Sequence, residues 1–495
     1  MNRLSFKIFT NTFWQIFGRL AQAIIGLISI KLITSYLPLE VYGQYTTVFE
    51  LIGFFAIIAD FGLYTIGVQE MSKNDNSESF VLSHILTLRL ILITLLLGSS
   101  NIIIPLIPKY AGTLVAKSIS LVSLATAFVL INGTLTSLLQ YRLKMHLATI
   151  AQVFGKIINI GLIAFIILIL KPSNLEHGFN LLILSALGAN LIMLLCTIFI
   201  IKKELPFRFH FDHIYAKNLL KTALPYGLAL ILMTFYFKVD IILLQYFSGN
   251  SAAGIYAVPL KLMEILSVIS VFFMNSALPT LTRNFKSGYQ KLNASLQNIF
   301  KVLHGLAAPI LIGGVLLAFP IIFSISSPQF LSGYHCTNNS QVVYHQQAEA
   351  EIQCAQTPIN QSFKQSPTNS YFYQTGSDIA FKIILIGLYF SFLNTIFAFS
   401  LVATDRNTTL LKINFTGFLI NVVLNLIFIP KYGILAASTT TAFCELCVFM
   451  LAFYCYKQHS GIQLNLKTLG KTYFASILMG GFIYLLQPIT YSWMQ

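Results

Sequence analysis

Ionisable side chains inside long apolar runs are the residues of this sequence with the greatest capacity for chemistry. The basic ones are Arg19, Lys31, Arg89, Lys117, Lys156, Lys238, Lys261 and Lys382. The acidic ones are Glu50, Asp60, Asp240, Glu264 and Glu445. Such charges are costly in lipid and usually line a polar cavity or pair with one another. Because the basic side chains outnumber the acidic ones and match phosphate oxygens, the pattern favours an anionic ligand over an organic cation.

The depth of each basic residue in its apolar run narrows the set. Three of the basic residues lie close to the end of an apolar run, where a long side chain reaches the lipid headgroups. They are Lys31, Lys117 and Lys382. The candidate ligands for an anionic headgroup are Arg19, Arg89, Lys156, Lys238 and Lys261. For Arg19, Arg89 and Lys156, which lie about two turns inside their runs, the alternative is anchoring to phospholipid phosphates.

Spacing decides which of these charges can neutralise each other. Lys238 and Asp240 are two residues apart and point to nearly opposite faces of one helix. Lys261 and Glu264 are three apart and share a face, which favours an ion pair. The candidates for binding a coupling proton or sodium ion are Asp60, Asp240, Glu264 and Glu445. The alternative for such an acid is a structural role as the partner of a buried cation.

The elements that must position these residues are membrane-spanning helices. The 495 residues are 56% hydrophobic and only 9% charged, whereas a soluble domain is about 25% charged. This composition excludes a soluble globular domain and a disordered chain. Thirteen apolar stretches have about the length that a spanning helix needs. They cover 12–34, 46–69, 81–107, 113–138, 147–170, 179–201, 222–247, 255–281, 302–325, 379–403, 413–430, 434–456 and 472–492.

Lysine and arginine in the connecting segments orient these spans. With the N-terminus in the cytoplasm, nineteen basic residues lie in inside segments and four in outside segments, which is the bias of the positive-inside rule. The net charge of +15 is therefore explained mostly by the membrane topology and requires no nucleic-acid partner. Arg19 within the first apolar run, with no small-residue cleavage site after it, predicts a retained first span rather than a cleaved signal peptide.

A weak internal repeat divides the chain into two halves of six spans. Gly43 and Tyr45 open span 2 and match Gly254 and Tyr256 at the start of span 8. Parallel repeats of this kind are typical of transporters, with the binding site between the halves. The predicted parts are an N-terminal lobe at 1–221, a C-terminal lobe at 222–456 and an additional C-terminal helix at 457–495.

Residues 327–377 form a polar insertion on the outside, after span 9. Cys336 and Cys354 lie in it, in the compartment where disulfides form. A disulfide and two free thiols both fit the sequence. The insertion holds no metal-binding or nucleophilic cluster, and the chain has no phosphate-binding G-x-x-x-x-G-K-[ST] loop. We therefore expect no catalytic residue, no metal and no organic cofactor.

Several turn and helix-entry motifs follow one another in a characteristic order. They are Pro38-Leu-Glu-Val-Tyr-Gly43, Ala253-Gly-Ile-Tyr-Ala-Val258, Asn421-Val-Val-Leu-Asn425, Ile429-Pro-Lys-Tyr-Gly433 and Ala436-Ala-Ser-Thr-Thr-Thr441. In this order the chain resembles the polysaccharide-export branch of the multidrug/oligosaccharidyl-lipid/polysaccharide (MOP) superfamily. Within that branch it is most similar to the O-antigen flippases of the Wzx type. The resemblance covers nearly the whole chain outside the insertion.

The resemblance implies an all-α polytopic membrane protein with two six-helix lobes around a central cavity, as in MATE transporters, plus one extra C-terminal helix. It also implies a flippase in the bacterial inner membrane, acting in lipopolysaccharide or capsule biosynthesis. Its cargo would be an oligosaccharide linked to undecaprenyl diphosphate, whose headgroup the five basic candidates would bind. Membrane lipids and a polysaccharide polymerase are the expected partners. The alternative is a cation-coupled multidrug antiporter of the same superfamily, and a membrane-embedded glycan polymerase is disfavoured because the insertion lacks catalytic groups.

Overall fold

The computed structural model describes residues 3–72, 78–202, 212–332, 334–337, 353–356, 375–461 and 466–492. The helices are α1 (Arg3–Tyr36), α2 (Leu39–Asp60), α3 (Leu63–Ser72), α4 (Glu78–Leu106), α5 (Leu114–Tyr141), α6 (Met145–Ala164), α7 (Leu175–Lys202), α8 (His213–Ser248), α9 (Asn250–Lys286), α10 (Tyr289–Leu316), α11 (Ala318–Ile325), α12 (Ser377–Ala403), α13 (Asn407–Tyr432), α14 (Ile434–Ser460) and α15 (Leu466–Ser492). A π-helical segment, Phe165–Leu170, extends α6.

Eleven helical segments within the described residues are long and apolar enough to cross a membrane. They coincide with the predicted spans 1–6 and 8–12. The other two predicted spans, 222–247 and 472–492, are helical in α8 and α15, and α15 contains a shorter apolar stretch at Gly470–Leu486. The prediction of an all-α polytopic membrane protein is confirmed.

The second predicted span is two helices rather than one. Phe61 and Gly62 have left-handed φ angles of 44° and 71°, so α2 ends at Asp60 and α3 begins at Leu63. A non-glycine residue in this conformation costs about 1–3 kcal/mol and persists only where its surroundings hold it. The periodicity of the sequence gives no sign of this break.

The ninth predicted span is also two helices rather than one. The helix α10 continues through Pro309, Gly313 and Gly314, and the chain turns at Leu317 before α11. The glycines allow close helix packing. A Cβ at Gly314 would lie 2.7 Å from a methyl carbon of Leu385 on α12, and small residues at such contacts are common in membrane proteins.

The chain divides into two compact units within α8. The first comprises the residues up to Leu37 together with Gln44–Phe235. Its apolar core joins α3, α4, α5, α7 and the first part of α8, and includes Leu63, Ile85, Leu138, Leu194 and Leu219. Outside this core, α1 packs along α6.

The second unit comprises Pro38–Gly43 and the described residues from Tyr236 onward. Within it α12 packs against α9, α10 and α14, and most of its side chains are buried for that reason. The additional C-terminal helix, α15, packs on α10. The Tyr473 hydroxyl of α15 donates a 2.7 Å hydrogen bond to the Tyr389 hydroxyl of α12.

The two glycines that reveal the internal repeat lie against each other in this second unit. A Cβ at Gly254 would lie 3.2 Å from the backbone nitrogen of Gly43, and a Cβ at Gly43 would overlap the carbonyl oxygen of Asn250. The first turns of α2 and α9 therefore approach at backbone distance, which only glycine allows at position 43.

Part of the polar insertion forms a small antiparallel pair of strands, β1 (Tyr334–Thr337) and β2 (Gln353–Gln356). Their register places Cys336 directly opposite Cys354. Residues 333, 338–352 and 357–374 of the insertion lie outside the described residues. The disulfide between the two cysteines stays a prediction.

Candidate functional site

Polar contacts join α1 to α6 along the first unit. Gly18 lies against Thr149, whose hydroxyl donates a 3.1 Å hydrogen bond to the Trp14 carbonyl oxygen. A turn further on, the Gln22 side-chain amide donates a 3.3 Å hydrogen bond to the Gln152 side-chain oxygen. Since residue numbers rise together across these contacts, the two helices run in the same direction.

The outer faces of these two helices are apolar and exposed, as expected for surfaces that contact lipid. On α1 they include Phe17, Leu20, Ile24 and Ile28, and on α6 they include Ile150, Phe154 and Ile157. Successive residues of an α-helix are rotated by about 100°, so Arg19 lies roughly 100–180° around the helix from the exposed apolar residues of α1. Lys156 lies about 100–160° from those of α6 by the same geometry. Both basic side chains are exposed, and each lies at least about 100° around its helix from the exposed apolar residues.

Arg19, Gln22, Gln152 and Lys156 thus form a continuous surface, which we call the α1–α6 polar face. Polar side chains within a membrane face the protein interior or a water-filled cavity. We therefore expect an exposed cation on the side away from the apolar residues to face water. Arg19 also interacts electrostatically with Tyr64 of α3, whose hydroxyl contacts the Gln140 side chain of α5, so the face continues toward these helices.

Arg89, the third candidate ligand of this unit, is in a different environment. Its side chain is 0% exposed and its Nη1 lies 2.5 Å from the Asp60 carboxylate, which is 24% exposed. Asp60 also accepts a 3.3 Å hydrogen bond from the Gly62 backbone N–H. The pair therefore fastens α4 to the break between α2 and α3. Two further nitrogens of Arg89, Nε and Nη2, are buried without a hydrogen-bond partner.

The basic candidates of the second unit lie beside one acid. Lys261 forms a 2.6 Å ion pair with Glu264, and their side chains are 54% and 36% exposed. Lys238 of α8 also interacts electrostatically with Glu264. The spacing argument for the Lys261–Glu264 pair is thereby confirmed.

Asp240 of α8 is buried and is surrounded by neutral polar groups. Its two carboxylate oxygens accept hydrogen bonds from Asn425 of α13 at 2.6 Å and from Thr441 of α14 at 2.5 Å. The Tyr256 hydroxyl lies 3.2 Å from the same carboxylate and 3.0 Å from the Thr441 hydroxyl. Asn425 in turn donates to the Asn421 side-chain oxygen at 3.1 Å. Three helices therefore converge on one carboxylate and several uncharged oxygens.

Glu445 lies one turn beyond Thr441 on α14 and is also buried. The Tyr236 hydroxyl of α8 donates a 3.2 Å hydrogen bond to its Oε1, and Ser391 of α12 is a further polar neighbour. Tyr236 interacts electrostatically with both Glu445 and Asp240. The two buried acids of this unit thus belong to one polar network.

The family of the chain follows from its sequence profile. The profile of the polysaccharide biosynthesis protein family matches residues 8–285, which is more than half of the chain. The chain belongs to this family. No curated protein shows significant sequence similarity to this polysaccharide biosynthesis protein.

Solved structures with the same fold are transporters. Lipid II flippase MurJ in an inward closed conformation has a TM-score of 0.71 at 14% identity, over 96% of this chain and 92% of its own. An inward-facing multidrug resistance MATE family transporter of the MOP superfamily has a TM-score of 0.68 at 13% identity, over 91% of this chain and 96% of its own. A MOP superfamily transporter from Pyrococcus furiosus has a TM-score of 0.58 at 13% identity, over 93% of this chain and 95% of its own. At such identities the likeness concerns the fold. The predicted MATE-like fold is confirmed.

Two groups of candidate functional residues were not predicted from the sequence, because only charged side chains were considered as candidates. The first is the Gln22–Gln152 pair, whose members come from distant helices. The second is the set of neutral partners around Asp240. Asn421 and Asn425, four apart on one helix face, were a usable signal for that second group.

Proposed function

We propose that this polysaccharide biosynthesis protein is a flippase for an oligosaccharide linked to undecaprenyl diphosphate. It would move an O-antigen or capsule repeat unit from the inner to the outer leaflet of the bacterial inner membrane, with its own N-terminus in the cytoplasm. No bond of the cargo is made or broken, so the protein is a transporter rather than an enzyme. A polysaccharide polymerase would receive the cargo on the outer side.

The observation that carries this proposal is the exposure of Arg19 and Lys156 on the α1–α6 polar face, away from the lipid-facing residues. A diphosphate headgroup must leave water to cross the membrane, and exposed cations supply charge-assisted hydrogen bonds to its oxygens. The prenyl chain is apolar and can stay in lipid throughout. The fold shared with the lipid II flippase MurJ supports this class of cargo.

The same face disfavours the multidrug antiporter. Two exposed cations repel an organic cation, whereas the acids that would attract one, Asp240 and Glu445, are buried. We therefore assign the exposed charges to the cargo and the buried acids to coupling.

In this proposal Asp240 binds the coupling proton or sodium ion. One carboxylate among neutral oxygens suits a monovalent cation, because a single positive charge neutralises the site. Asn425, whose side-chain oxygen is buried without a hydrogen-bond partner, and Thr441 offer further oxygen ligands. Binding of the cation would replace the hydrogen bonds that now hold α8, α13 and α14 together, and so would couple occupancy to helix position.

Deletion of the gene tests the cargo. We expect loss of surface polysaccharide together with accumulation of undecaprenyl-diphosphate-linked repeat units in the inner leaflet. Normal surface polysaccharide with new sensitivity to cationic dyes would instead indicate the antiporter.

Charge removal on the polar face tests the site. Arg19→Gln or Lys156→Gln should slow flipping of the lipid-linked cargo by about 10- to 100-fold, since a hydrogen bond to a charged group contributes about 1.5–3 kcal/mol. Lys117→Gln is the matched control, because Lys117 already pairs with Glu176 at 2.7 Å away from this face. Equal rates in all three variants would contradict the assignment.

Coupling is tested in proteoliposomes with an imposed proton or sodium gradient. The wild-type rate should depend on one of the two gradients, and Asp240→Asn should flip at one rate regardless of either. Retained gradient dependence in Asp240→Asn would remove Asp240 from the coupling role and direct attention to Glu445.

A further inference from the structure

We propose that Gln22 and Gln152 are the sugar-reading residues of the α1–α6 polar face and form hydrogen bonds with the hydroxyl groups of the sugar next to the diphosphate. This inference rests on the proposed flippase function and adds a determinant of cargo selectivity to it. Neither residue carries a charge, and neither belongs to the set that the sequence singled out.

The position of the pair is the first argument. Gln22 lies one turn beyond Arg19 on α1, and Lys156 lies one turn beyond Gln152 on α6. The two amides are in contact at 3.3 Å, and an α-helix rises about 1.5 Å per residue. Arg19 and Lys156 are therefore separated by about 10 Å along the helix axes, with the amide pair between them. A headgroup held by either cation therefore brings its neighbouring sugar to the amides.

The unused hydrogen-bonding capacity of the pair is the second argument. A glutamine side chain has two N–H donors and one oxygen with two lone pairs, and the contact between the two amides uses one donor and one acceptor. Both side chains are half-buried, and neither contributes a buried atom without a hydrogen-bond partner. The remaining donors and acceptors are therefore accessible at the surface of the described chain.

The chemistry of the pair is the third argument. Each sugar hydroxyl is both a donor and an acceptor, and adjacent hydroxyls present this combination twice. Two amides fixed against each other present donors and acceptors at matching separation without adding charge. A cargo that carries the hydroxyls forms hydrogen bonds with the amides that a cargo without them does not form, so the pair favours the sugar-bearing cargo.

The alternative is that the amides only hold α1 to α6, as polar contacts in membrane proteins do. The two roles differ in what they do to selectivity. A contact that only joins helices supports flipping of every cargo equally. A sugar-reading pair affects only cargo that carries the sugar.

The experiment compares two fluorescent cargoes in proteoliposomes of the full chain: a short-chain prenyl diphosphate carrying one N-acetylhexosamine, and the same prenyl diphosphate without sugar. The variant is Gln22→Met/Gln152→Met, which keeps side-chain length and removes the amides. We expect flipping of the sugar-bearing cargo to fall about 10-fold or more, corresponding to about 1.4 kcal/mol per factor of ten, while the sugar-free cargo stays within about twofold. Asn190→Leu is the matched control, since it removes an interhelical hydrogen bond from Asn190 to the Ala125 carbonyl and should leave the ratio between the cargoes unchanged.

A parallel fall for both cargoes, or no change for either, would overturn the sugar-reading role. If the double variant does not fold, the single variant Gln152→Met is measured in its place with the same two cargoes and the same criterion. Wild-type protein that flips neither cargo would refute the flippase proposal itself, and this outcome is distinct from a failure of the amide pair.

Discussion

The buried ion pair between Arg89 and Asp60 yields a prediction in which the two single substitutions have unequal effects. Asp60→Asn leaves a guanidinium that is 0% exposed without a counterion. Arg89→Leu leaves a carboxylate that is 24% exposed and still accepts the Gly62 N–H. We therefore expect Asp60→Asn to be the more destabilising of the two.

The magnitudes follow from these environments. Removing one partner of a buried pair costs about 3–5 kcal/mol, and Asp60→Asn should fall in this range. Arg89→Leu should cost about 1–2 kcal/mol, because the remaining carboxylate keeps a hydrogen bond and some contact with solvent. The double variant Asp60→Asn/Arg89→Leu should lie within about 1 kcal/mol of wild type, since replacing both charges of a buried pair is often neutral. The coupling energy is therefore roughly 3 kcal/mol or more.

The assay is unfolding in mixed micelles for the four chains of this double-mutant cycle, with flipping measured in parallel. Arg142 and Glu78 provide the control cycle, because they form a pair of the same 2.5 Å length whose side chains are 24% and 29% exposed. Their coupling should be about 1 kcal/mol or less. Additive effects of Asp60→Asn and Arg89→Leu would refute the reasoning. A stable double variant that no longer flips cargo would return Arg89 to the cargo-binding role that its sequence position suggested.

Three further predictions concern single contacts. Gly43→Ala should strongly lower expression and thermal stability, because its Cβ would overlap a backbone oxygen. Gly26→Ala is the control, because nothing lies within 4 Å of its Cβ. By size-exclusion chromatography after heating, the Gly26→Ala variant should match wild type. Lys261→Gln should change the free energy of unfolding by less than about 1 kcal/mol, since its ion pair is exposed, and a larger loss would show that the pair is shielded from water. Tyr473→Phe removes the hydrogen bond from α15 to Tyr389 and should cost about 1 kcal/mol, measured as faster proteolysis of the C-terminal helix, and unchanged proteolysis would contradict this.

The sequence predicted the helices well because a spanning helix leaves a strong local signal. Each predicted span lies on a helix or on two consecutive helices, since a run of about twenty apolar residues is typical of a membrane-spanning helix. The break at Phe61 was not predictable, because a left-handed backbone at a phenylalanine is imposed by surroundings that come from other helices. The break at Leu317 in span 9 was not predictable for a related reason. Proline and glycine in α10 are accommodated by packing, and the sequence does not show which neighbours supply it.

The sequence also identified the charged residues but not their partners. The Lys261–Glu264 pair was predictable because both members lie on one helix. Arg89 and Asp60 lie on different helices, so the sequence listed one as a ligand and the other as a coupling site, without joining them. Asp240 was likewise recognised as a buried acid, whereas two of the neutral groups that hydrogen-bond to it are 185 and 201 residues away. Local spacing carries no information on contacts at that separation.

The distance in sequence between Asp240 and its partners bears on how the protein is made. Thr441 follows Asp240 by 201 residues, and a ribosome adding about 5–20 residues per second needs roughly 10–40 s to synthesise that stretch. Tyr256 of α9 follows Asp240 by only 16 residues, whereas Asn425 and Thr441 have not yet entered the membrane during most of this interval. We expect α8 to remain beside the insertion machinery until α13 and α14 arrive. Chains that end before α13 should accordingly be degraded by membrane quality control, and Asp240→Leu should protect them from it.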